Sequence, residues 1–168
     1  MIELVPKSSS YGDINLVISH ARRKKIIAAV IQQRLEKERP TEVLTIPKGA
    51  DPNSQEITVW KGIIVTAVLD SVSKYGIYNA QLLRIEAWNE ENLELVCTES
   101  NEAYSVPITW CPNNIRHAAS ICYAAVQGRS CIDQKVALWD SSNKRFTRKH
   151  LVMGLSRASR IEEVWIAE

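Results

Sequence analysis

The chain has 168 residues, 45% hydrophobic and 24% charged, which suits one ordinary domain with its own core and room for a small inserted lobe. Its 21 basic and 19 acidic side chains leave a formal net charge of +2, so no global field draws nucleic acid and any basic site must be local. No apolar run approaches the roughly 18 residues of a membrane span, and "MIELVPKSSSYGD" lacks the apolar core of a signal peptide, which excludes a membrane or secreted class and predicts an intracellular protein of cytoplasm or nucleus.

Residues 14–18, "INLVI", are a short apolar run of the kind that forms a buried strand. Ser19 follows as a natural N-cap, and a helix is predicted from His20 to about Arg39. Ile27, Ile31 and Leu35, with Ile26 and Val30 beside them, give that helix one apolar stripe. Its first turns carry Arg22, Arg23, Lys24 and Lys25, which oppose the helix dipole and call for a nearby anion or for water. Pro40 ends the helix, and "EVLTI" reads as the next strand.

From about residue 48 to 112 the texture changes. "ITVW", "IIVTAVLD", "AQLLRIEAW", "LELVC" and "AYSVPITW" are short β-type segments separated by turn-formers, the pattern of a small antiparallel barrel. Pro112, Asn113 and Asn114 mark the return. "IRHAASICYAAVQG" reads as mostly helical and stopped by Gly128; "KVALWD" is a strand; Thr147 can cap a helix through about Arg160; and "EEVWI" closes as a strand. The expected fold class is α/β: residues 1–47 and 113–168 form one domain, interrupted by a β-barrel insert at 48–112.

Two local basic clusters stand out, "ARRKK" at 21–25 and "NKRFTRKH" at 143–150. Arg157 lies in a run of small and apolar residues, where a guanidinium needs an anionic partner. Glu162, Glu163 and Asp140 are the internal choices; a partner outside the chain is the other. The cysteines at 97, 111, 122 and 131 form no Cys-x-x-Cys pair and have no histidine at ligand spacing, so no metal site is expected and the thiols are expected to be reduced. Ligands of open α/β sheets bind beyond the carboxyl ends of the strands, where Ser19 and His20 fall.

"INLVISHARRKKI", "ASICYAAVQGRS" and "FTRKHLVMGLSRAS" resemble, in that order, the fourth, fifth and sixth motifs of superfamily 1 helicases, nearest the RecD-like group. "VWKGIIVTAVLDSVSKYGIYNAQLLRIEAW" is similar to that group's inserted β-barrel, with Asn79 and Ala80 where Asn-Gly is usual. The resemblance implies a second RecA-like domain. It makes Arg157 the arginine finger reaching the γ-phosphate of ATP on a partner domain. Gln127, Gly128 and Ser156 are the further nucleotide-side candidates. Ser19, His20, Arg22, Arg129 and Ser130 are the candidate contacts to single-stranded DNA. The chain departs from the family at Ala124 and Ala125, where the fifth motif usually has His-Lys, and it has Ile18 where many relatives outside the RecD-like group have a phosphate-binding arginine.

A phosphate loop needs glycine followed by Lys-Ser/Thr, because backbone N–H groups and a lysine wrap the phosphates. The six glycines here precede Asp13, Ala50, Ile63, Ile77, Arg129 and Leu155. ATP and Mg2+ are therefore expected only together with a phosphate-loop RecA-like domain, upstream in the same polypeptide or on a separate chain. The expected function is the C-terminal half of an ATP-dependent DNA helicase, moving 5′ to 3′ as RecD-like relatives do. The alternative is a non-catalytic nucleic-acid-binding or adaptor domain.

Overall fold

In a computed structural model, residues 5–126 and 134–167 are described. The elements, in chain order, begin with β1 (Lys7–Ser8), β2 (Ile14–Val17), α1 (His20–Glu38), β3 (Leu44–Ile46) and β4 (Ile57–Val59). They continue with β5 (Ile64–Ala67), β6 (Leu82–Trp88), β7 (Asn92–Cys97), β8 (Ala103–Pro107), α2 (Cys111–Asn114) and β9 (Ile115–His117). β10 (Ser120–Cys122), β11 (Val136–Leu138), α3 (Arg148–Leu155) and β12 (Val164–Ala167) complete the chain. Two units result: residues 1–30 with 119–168, and residues 31–118.

The first unit is built on a sheet ordered β1-β12-β11-β2-β10, and every ladder in it is parallel. Parallel strands are covered on both faces, and accordingly all four residues of β2 and all three of β11 are buried. One face packs Ile14, Leu16, Val136, Leu138, Leu151, Val164 and Ile166 together. The other packs Val17, Ala137 and Trp139 against Ile26 and Val30 of α1. Fully buried Asn15 ties the strands together. Its amide donates to the carbonyls of Gly12 (2.9 Å) and Ala119 (2.8 Å), and its Oδ1 accepts from the Gly12 N–H (3.1 Å) and Trp139 Nε1 (2.9 Å). Gly12 is required: a Cβ there would lie 2.6 Å from the Lys135 carbonyl oxygen.

The second unit holds the hairpin ladder β3–β4 and an antiparallel sheet ordered β8-β7-β6-β5-β9. Alternate residues of β6, β7 and β8 are buried, as expected of an antiparallel sheet with one wet face. A ladder closing β8 onto β9 is not among those described. At the tight turn before β6, Ala80 adopts φ +70, the left-handed conformation natural to the glycine that Asn-Gly would supply.

Three sequence expectations are corrected here. The segment 115–122 is not helical: β9 and β10 are strands on either side of a turn, and all their residues are buried. A run apolar on every side reads the same as buried helix or buried strand. "EVLTI" gives a strand, but β3 pairs antiparallel with β4 and not with the parallel sheet. The helix after Thr147 stops at Leu155, five residues before Arg160. There Ser156 donates to the Met153 carbonyl (3.0 Å), and the Arg157 N–H makes an i→i−3 bond to Gly154 (3.2 Å) that tightens the last turn. β12 is the closing strand expected from "EEVWI", and the unforeseen β1 pairs outside it.

Candidate functional site

Because the strands of the first unit are parallel, their carboxyl ends share one edge. β2 delivers Ile18, Ser19 and His20 there, β10 delivers Cys122, and β11 delivers Trp139 and Asp140. Ser19 is the expected helix cap, its Oγ accepting the Arg22 N–H at 3.2 Å while its carbonyl accepts the Arg23 N–H at 3.0 Å. His20 is exposed, with Nδ1 3.6 Å from Cys122 Sγ.

The basic first turns of α1 find their anion at Asp140. Its Oδ2 accepts the Ile18 N–H at 3.0 Å, and its Oδ1 lies 3.7 Å from Arg22 Nε. The carboxylate thus supplies, from the end of β11, the negative charge that the first turn of α1 lacks. The Arg22 guanidinium also sits 5.2 Å from the centre of the Trp139 ring, whose orientation is fixed by Asn15 and by Tyr11 at 5.4 Å between centroids. Asp140 adopts φ +67, a conformation that short polar side chains tolerate best. Asp140, an internal candidate for Arg157 in the sequence, pairs with Arg22. The signal was an acid directly after the apolar strand "KVALW", on the edge that Ser19 and Arg22 also reach.

Arg157 follows α3. That helix starts at Thr147, whose N–H is accepted by His150 Nδ1 at 3.0 Å. His150 packs edge-on against Tyr123, and Gly154 rests on Leu138, where a Cβ would come within 2.4 Å of Cδ2. The helix therefore lies close along the ends of β10 and β11. Burial and its own neighbours push the Tyr123 hydroxyl well above its ordinary pKa, and that hydroxyl donates to the Trp139 carbonyl at 3.2 Å.

Two residues past Gly154, Ser156 accepts hydrogen bonds from Arg157 Nε (3.3 Å) and Nη2 (3.1 Å). Arg157 joins Arg148 and Lys149 around a groove of about 680 Å3 whose floor is Val152 and Met153. Ser19, His20 and Arg22 form one group and Ser156 with Arg157 another. Gln127, Gly128, Arg129 and Ser130 lie outside the described residues. Among the described residues no cluster of His, Cys, Asp and Glu could hold a metal, and no helix is long and apolar enough to cross a membrane.

No protein-family model matches the sequence, and no curated protein matches it. Solved structures do. A structure of two coordinating Pif1 helicases at forked double-stranded DNA matches 99% of this chain with 41% of its own, at 15% identity and a TM-score of 0.66. Bacteroides Pif1 bound to single-stranded DNA matches 98% of this chain with 42% of its own, at 16% identity and a TM-score of 0.59. Pif1 helicase from Candida albicans matches 98% with 45%, at 11% identity and a TM-score of 0.53. The chain spans less than half the length of each. At these identities the likeness establishes the fold: a parallel α/β unit of the helicase RecA-like kind, continuous in sequence with an antiparallel unit.

Proposed function

We propose that this chain is the second RecA-like half of a superfamily 1, Pif1-like DNA helicase motor. In this reading Arg157 is the finger that meets ATP–Mg2+ on a phosphate-loop domain. Single-stranded DNA runs past the edge formed by Ser19, His20 and Arg22. The observation that carries it is Arg157 itself, partly exposed and held by Ser156 at the end of a helix packed on the sheet. A guanidinium set in place before the partner arrives loses little on reorganising, which is what electrostatic stabilisation of phosphoryl transfer requires. That matching chains of more than twice this length are helicases, one bound to single-stranded DNA and one to ADP-AlF3 and single-stranded DNA, supports the same division of labour.

The motor alternates between closed and open states as ATP binds and is hydrolysed, and this chain supplies half of each contact. Ser19, His20 and Arg22 face the strand; Arg157 faces the nucleotide. The expected polarity is 5′ to 3′, carried from the RecD-like resemblance. The adaptor reading draws on Asp140, which already offsets part of the charge of Arg22, and on the alanines at 124 and 125.

Mixing the chain with a phosphate-loop domain of a Pif1-type helicase and measuring DNA-dependent ATP hydrolysis decides between them. Stimulation over the phosphate-loop domain alone supports the motor. No stimulation, with single-strand binding intact, supports the adaptor.

A further inference from the structure

The second unit carries a cavity of about 550 Å3 that neither the finger nor the strand edge uses. That volume is in the range of ligand sites. Its walls are Trp60, which is 3% exposed, Trp88 and Pro40, and its acids are Glu38, Glu42 and Glu86. Two backbone features build it. Arg39, at φ +46, turns the chain sharply at the end of α1, so that Glu38 and the carbonyl end of the helix meet Pro40 at one wall. The partial negative charge of a helix C-terminus adds to that of Glu38. A β-bulge between Ile85 and Ala87 makes Glu86 the extra residue of β6, and bulges re-aim side chains.

The polar groups are placed for a cation. Glu38 Oε2 accepts the Trp60 indole N–H at 2.7 Å, fixing both carboxylate and ring. Glu86 Oε1 is held by Arg84 Nε at 2.5 Å. Lys61 also lines the cavity, so Glu38 and Glu42 still outnumber the positive charge after Arg84 offsets Glu86. The half-buried Trp88 ring, beside these carboxylates, attracts ammonium and guanidinium groups through the ring quadrupole and direct charge pairing, while the buried Trp60 holds Glu38 in place. The same acids repel a phosphate backbone.

We propose that this cavity binds the lysine or arginine side chain of a basic segment on a protein partner. The proposal stands whether or not the motor reading holds.

The test is calorimetric titration of the full chain at low salt with a tetra-arginine peptide, a tetra-glutamate peptide and N-acetyl-arginine amide. Saturable one-to-one binding of tetra-arginine is expected, with tetra-glutamate silent. Glu42→Gln, at an exposed position outside regular structure, and Trp88→Ala should each weaken it by roughly tenfold, with Trp88→Phe retaining most of it. Thermal melting checks that the Trp88 variants are folded; Glu42→Gln tests the site even if they are not. Binding unchanged by Glu42→Gln, or no saturable binding, overturns the proposal. N-acetyl-arginine amide binding as tightly as the peptide overturns the assignment to a protein partner.

Discussion

Ser156 Oγ accepts two hydrogen bonds from the Arg157 guanidinium and donates its own proton to the Met153 carbonyl, so one hydroxyl joins the helix end to the proposed finger. Ser156→Ala removes that hold without removing the charge. In the complemented assembly kcat for ATP should fall about tenfold, with KM for ATP nearly unchanged, as expected when positioning and not binding is lost. Steady-state ATPase kinetics measure it.

Asp140 sits between Arg22 and the backbone of Ile18. Asp140→Asn keeps a hydrogen-bond acceptor for Ile18 and frees the charge of Arg22. Single-stranded DNA should then bind several-fold more tightly at low salt, with a steeper salt dependence, because one more cation can displace a counterion. Arg22→Ala should do the reverse. Fluorescence anisotropy across a salt series reads both.

His117 is 1% exposed. Burial pushes its pKa down to about 4; the Thr58 backbone offsets this only in part, and the Arg34 charge adds to it. The unfolded chain, with a histidine near 6.5, therefore binds the extra proton first. Stability is full above pH 6.5 and declines as the pH falls towards 4, by up to roughly 3 kcal/mol. Urea unfolding between pH 7 and 4 should show that slope, and His117→Leu should flatten it.

Ala80 holds a left-handed backbone at a turn where glycine is unstrained. Ala80→Gly should stabilise the second unit by about 1 kcal/mol, the relief of strain exceeding the added freedom of the unfolded chain. Thermal melting checks it.

How far the sequence could be read depended on whether an element's pattern was local. β2, the Ser19 cap and α1 follow from an apolar run, a hydroxyl and a helical stripe, and all three lie where expected. Thr147 likewise announced α3. The strands β9 and β10 did not announce themselves, because every residue in them is buried and no period survives. β1 is two residues long and exists only through its pairing with β12. For the site, Ser156 and Arg157 are named by a motif, and their contact is one between chain neighbours. The Arg22–Asp140 pair joins positions 118 apart, and only the parallel register of β2 and β11 brings them together.

The most direct measurement is single-turnover ATP hydrolysis by the complemented assembly, comparing the natural chain with Arg157→Ala. A loss of about a thousandfold in the hydrolysis step, with nucleotide and single-strand binding retained, is the predicted result. Equal rates would contradict the role of Arg157 and, with it, the reading of this chain as half of a motor.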